Sequence, residues 1–89
     1  MGPVRIARLT EAEWEVFAGL RLRALAEAFG RQDEQYLSEH RFTRQQWCRR
    51  LCEHAQFAAR LAGRPVGLIG AHRETADTIY LYSLWLDPS

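Results

Sequence analysis

Cys48, Cys52 and His54, the arginine at position 21, and the acidic and imidazole side chains between positions 31 and 41 are the residues whose types could do chemistry. Cys48 and Cys52 stand four apart with His54 close behind, a spacing that raises either a metal site or a disulfide. Both fail on helical geometry. At about 100° per residue the two cysteines share a face while His54 points well away, and three candidate ligands fall short of a structural zinc site. A disulfide across one helical turn would strain bridge and backbone alike. The cysteines are therefore expected to be buried apolar fillers.

Hydrophobic periodicity gives the elements that must position these side chains. Val4-Arg5-Ile6-Ala7-Arg8-Leu9 alternates apolar and polar residues, the pattern of a strand with one buried face. Thr10 then precedes Glu13 as a T-x-x-E capping box, which predicts a helix over residues 11–29, closed by Gly30 as a left-handed C-cap. Trp14, Phe17, Leu22, Leu25 and Phe29 gather on one side of it, opposite Glu15, Arg23 and Glu27. Arg21 falls inside that apolar stripe. Its guanidinium must snorkel to an edge or meet a partner such as Glu34 or Glu39, which makes it a structural tie, with a substrate contact as the alternative.

Residues 31–41 read as a polar connector, long by the usual standard for a link between helices. A second helix starts at Thr43 with a capping box to Gln46, runs to about His54, and turns Trp47, Cys48, Leu51, Cys52 and Ala55 inward. The period then changes. Strands over residues 56–61 and 66–71 flank the turn Ala62-Gly63-Arg64-Pro65, and a polar link leads to a β-prone run over residues 78–86. The order β-α-α-β-β-β predicts an α+β fold, an antiparallel sheet covered by two helices, in a single domain over residues 1–89.

A chain of 89 residues with 47% hydrophobic content supports one small core. All 12 basic residues are Arg, but 11 acidic residues leave a net charge of +1. That balance gives no electrostatic case for nucleic acid or an anionic membrane surface. No apolar run approaches the roughly 20 residues of a membrane span, and no secretory signal opens the chain, so the expected location is the cytoplasm.

Taken together the elements resemble the GNAT (GCN5-related) N-acetyltransferase fold from its first strand through its fourth. Leu20-Arg21-Leu22-Arg23-Ala24-Leu25 running to Ala28-Phe29-Gly30 is similar to the first-helix pattern of many bacterial members. Thr43-Arg44-Gln45-Gln46-Trp47 resembles their second-helix start, and Gly63-Arg64-Pro65-Val66-Gly67 their hairpin. Leu81-Tyr82-Ser83-Leu84-Trp85-Leu86-Asp87-Pro88 resembles the fourth strand leading into the signature loop. On this resemblance residues 1–89 correspond to the N-terminal half of such a domain, a truncated acyl-CoA N-acyltransferase-like fold. The family's Arg/Gln-x-x-Gly-x-Gly/Ala loop, which binds the pyrophosphate at a helix N-terminus, is not found in these 89 residues.

The resemblance implies an acetyl-CoA-dependent transfer to a small amine or a peptide amine, with the backbone of Leu84, Trp85 and Leu86 facing the cofactor. Without the phosphate loop, acetyl-CoA is expected to bind weakly or not at all, and the chain to be inactive by itself. Tyr82, Ser83, Glu34, Glu39 and His40 are the available candidates for a base, and no catalytic residue is assigned. The alternative is a non-enzymatic half-domain that self-associates or binds a partner. In either case the last strand should be an open edge, and a homodimer through residues 78–88 is expected, with Trp85 as its apolar anchor.

Overall fold

Val4–Arg8 (β1), Ala55–Leu61 (β2), Arg64–Arg73 (β3) and Ile79–Leu86 (β4) form one antiparallel sheet in the order β1-β2-β3-β4. The computed structural model describes residues 3–73 and 75–87, with the side chains of Ser83 and Leu84 outside the description. Trp14–Phe29 (α1), Glu34–His40 (α2) and Arg44–Glu53 (α3) complete the α+β fold. The expected architecture is present, with a helix more than the sequence pattern predicted.

That additional helix, α2, lies in what reads as a polar connector. Asp33 caps it by accepting from the Gln35 N–H at 2.9 Å. It buries Glu39 alone, so it carries no apolar stripe from which periodicity could reveal it. The other starts follow their capping residues. Thr43 N donates to Gln46 Oε1 at 2.8 Å and Gln46 N to Thr43 Oγ1 at 3.3 Å, the reciprocal pair of a capping box. At the first helix the Thr10 N–H donates to Glu13 Oε1 at 3.2 Å, and Glu11–Glu13 form a 3₁₀ turn ahead of α1. Gly30 does close α1, but with φ 87° and ψ 160° rather than as a left-handed cap. That region is open essentially to glycine alone.

The β2–β3 turn is tighter than the expected four residues. Ala62 and Gly63 both take positive φ, 52° and 80°, which matches the twist of a two-residue hairpin and leaves Arg64 and Pro65 inside β3. Pro65 sits opposite Arg60, beside a register shift at Ala59/Arg60, where a missing N–H is tolerated.

One face of the sheet is covered by α1 and α3. Phe17 meets Trp47 edge-on with ring centroids 5.4 Å apart, and the two pack with Leu9, Leu51, Ala58 and Leu68 in the core. The other face is bare, and here the β1 expectation is corrected. Val4 and Ile6 are 58% and 60% exposed, because Leu9 must enter the core and strand alternation then sends Ala7 and Arg5 to the helix side. Arg60, opposite Arg5, confirms the parity by reaching Glu13 Oε2 at 3.0 Å. The cysteine expectation is corrected as well. Cys52 is exposed and Cys48 half-buried, since Trp47 and Leu51 take the inward stripe of α3 and leave the cysteines on its flank beside Glu11.

Candidate functional site

A cleft of about 450 Å³ opens where the end of α3 and the middle of α1 meet the sheet. Its floor is built by register. Gln56, Gly70 and Tyr82 follow one another across β2, β3 and β4, and His72 lies opposite Tyr80 one step further on. Gly70 is needed here because a Cβ at that position would come within 2.8 Å of the Tyr82 ring, so its absence lets the phenol lie flat over β3. Gln56 Nε2 donates to Tyr82 Oη at 3.1 Å and fixes the ring. Tyr82 is flanked by both imidazoles of the cleft, His54 and His72, each 6.1 Å away between ring centroids.

Phe17 and Arg21 from α1, with Arg50 from α3, make the opposite wall. Behind it lies Glu39, 2% exposed. Arg21 Nε and Arg50 Nη1 donate to its Oε1 at 3.0 and 2.9 Å, while Arg21 Nη2 and Gln35 Nε2 donate to its Oε2 at 3.3 and 3.1 Å. Burial would raise the Glu39 carboxyl, but the Arg21 and Gln35 hydrogen bonds and the two arginine charges outweigh it and hold the group below its ordinary value. The structural reading of Arg21 is thereby met in one of its two forms, a tie from α1 to α2 through Glu39.

The candidate bases are dispersed. Tyr82 lines the cleft, whereas Glu39 is fully engaged behind it, Glu34 borders a shallow surface groove, and His40 stacks on Tyr36 at 5.7 Å. The side chain of Ser83 lies outside the described residues. His72, Tyr80 and Gln56 carry no motif in the sequence, and His54 stood out there only as a possible metal ligand beside Cys48 and Cys52. The signal was present in the alternation of polar residues along β2 to β4, but it becomes a site only once the register is known.

The residues expected to face a cofactor lie at the far end of β4. Trp85 points to the helix side, where its Nε1 donates to Glu27 Oε2 at 2.6 Å and the Arg23 guanidinium sits 5.0 Å from its ring. Arg23 also reaches Asp87 Oδ2 at 2.6 Å. Trp85 and Tyr82 are three apart yet share a face, because the β3–β4 register shifts between Leu68 and Gly70. Leu86 emerges on the bare face, and the Leu84 side chain lies outside the described residues. Trp85 thus packs on its own α1.

Among the described residues no cluster of His, Cys, Asp or Glu could hold a metal, and no helix is long and apolar enough to cross a membrane. No family model and no curated protein matches the chain. A solved structure does. An aminoglycoside acetyltransferase, HMB0005, from an uncultured soil metagenomic sample superposes with a TM-score of 0.67 at 26% sequence identity. The match covers 97% of this chain and 59% of that one. The fold is therefore GNAT-like, and the match supports an acyltransferase lineage.

Proposed function

We propose that residues 1–89 form the acceptor side of a GNAT-like N-acetyltransferase and that the Tyr82 cleft receives the amine. The observation that carries this reading is the superposition on an acetyltransferase together with a cleft whose imidazoles and phenols converge beside β4. Acetyl-CoA would supply an activated acetyl group. Attack by the amine requires loss of its proton, and His54 and His72 are the imidazoles placed to accept it, directly or through water. Tyr82 accepts from Gln56, which orients its own O–H for donation within the cleft.

β4 pairs with β3 along one side, and among the described residues its other side has no strand. That open backbone fits the amide-bearing arm of the coenzyme, with residues 84–86 as its contact. The pyrophosphate loop is not among the 89 residues, so binding by this chain alone is expected to be weak. An NMR titration with acetyl-CoA should move β4 amides at millimolar concentration. Absence of any β4 shift would overturn the cofactor assignment, and sub-micromolar binding would overturn its weakness, since one strand edge should not supply the roughly −8 kcal/mol of a micromolar complex.

A second reading is favoured by the bare face, where Ile79, Leu81 and Leu86 of β4 are each more than half exposed beside the open edge. In that reading the chain is a self-associating module, and two copies join through residues 78–88. Pro88 of that stretch lies outside the described residues, and Leu81 and Leu86 replace Trp85 as the apolar anchors. Light scattering should then give twice the chain mass, with Leu81→Lys restoring the monomer.

A further inference from the structure

We infer that, granted the cleft is the acceptor site, its acceptor is a small amine that also carries an anionic group, a carboxylate or a phosphate, and is not a polycation. Arg21 and Arg50 line the cleft together with His54 and His72, and among the described residues no carboxylate lines it. Among the described residues the acid bonded to this wall is Glu39, whose two oxygens already accept four donors from Arg21, Arg50 and Gln35. Among the described residues two guanidiniums, Arg21 and Arg50, share that one carboxylate on this wall.

A polycationic amine would bring several ammonium groups against that wall, where none of the described carboxylates lines the cleft to receive them. Like charges brought together in a partly desolvated cleft are a strong device for rejecting a ligand. This separates the acceptor of this chain from what the structural neighbour's name says that protein acts on, since aminoglycosides carry several amines. An anionic group has the opposite relation to the same wall. Arg50 gives Nη1 to Glu39 and lies 4.8 Å from the Phe42 ring, and its guanidinium carries further N–H donors suited to a carboxylate or phosphate.

The rest of the cleft suits the remainder of such a molecule. Tyr80 offers an apolar wall, and the imidazoles and Tyr82 supply polar atoms for the amine. The volume of about 450 Å³ is ample for one such small ligand. α-Amino acids and aminoalkyl phosphates are the classes that combine these parts.

The test compares matched pairs by NMR titration of the chain, reading the amides of His54, His72 and Tyr82. L-phenylalanine is set against phenethylamine, which differs by the carboxylate, and O-phosphoethanolamine against ethanolamine, which differs by the phosphate. Tobramycin serves as the polycation. The anionic member of at least one pair should bind about tenfold tighter or more, and the pair that shows the larger ratio identifies the anion. Arg50→Gln should erase that ratio while Arg50→Lys keeps part of it. Equal affinity within both pairs, or tobramycin binding in the cleft more tightly than either anionic amine, overturns the inference and leaves the acceptor-site reading standing. If no amine moves a cleft resonance, both fall. The wild-type pairs decide the matter even if the Arg50 variants fold poorly.

Discussion

The two faces of the sheet differ in what covers them. On the helix side Leu9, Ala58 and Leu68 are almost completely buried, and on the other Val4, Ile6, Leu81 and Leu86 stand more than half exposed. Both sides are apolar. Alternation along a strand therefore states that a face can be buried, while the parity of one core residue, here Leu9 just beyond β1, decides which face goes under the helices. The polar residues that intrude on the covered side, Arg21, Gln56 and Tyr82, are held by partners, and they are also the ones that line the cleft.

The sharpest way to probe this contrast is to empty matched positions. Phe17→Ala should cost about 3–5 kcal/mol, since it removes the ring packed on Trp47, and for a domain this small that approaches its whole stability. Urea denaturation followed by Trp fluorescence would measure it. A loss below 1 kcal/mol would mean that the helix layer is not the core.

Glu39→Gln should have the next largest effect, about 2–4 kcal/mol at neutral pH, because two arginines packed around a buried carboxylate lose their counter-charge. The carboxyl is held below its ordinary value of 4.5 when folded. Its contribution is thus complete at neutral pH and is lost as pH falls through the lowered folded value. Wild type should lose more stability than Glu39→Gln when the pH is taken below about 4.5, so the two curves converge in acid. Parallel curves would show that the carboxylate is not what the arginines hold.

Smaller still is the tie between Trp85 and α1. Glu27→Gln keeps a hydrogen-bond acceptor but removes the charge, and a loss of about 0.5–1 kcal/mol with a shift in Trp emission is expected. On the bare face, Ile6→Thr should change stability by less than about 0.5 kcal/mol in dilute solution. A cost equal to that of Phe17→Ala would show that something covers this face, and its dependence on protein concentration would identify a second copy as the cover.

Much of the fold was legible because its signals are local. Thr43 with Gln46, a turn within Ala62-Gly63-Arg64-Pro65, which the structure narrows to its first two residues, and the β-prone run into β4 each state their structure within a few residues. α2 was not legible, since a helix that buries a single glutamate has no apolar period. The cysteines misled for a related reason. Cys48 and Cys52 lie one position round from Trp47 and Leu51, and a stripe drawn from sequence includes both pairs, while packing admits one. Of the site, the sequence indicated Tyr82, and also Arg21 with Glu34 or Glu39 as its partner, the latter because a charge inside an apolar stripe demands a counter-charge.

The amino-acid sequence alone therefore set the order of the four strands and of α1 and α3, most of their ends, and the need for an acid near Arg21. Those follow from periodicity, capping chemistry and the cost of burying an unpaired charge, all of which act over a turn or two of chain. The tertiary structure alone decided that His54, Gln56, His72, Tyr80 and Tyr82 share one cleft and that Val4 and Ile6 face away from the core. The first depends on strand register, which joins residues far apart in the chain, and the second on Leu9 being the residue that enters the core, since a shift of one residue would send every side chain to the opposite face.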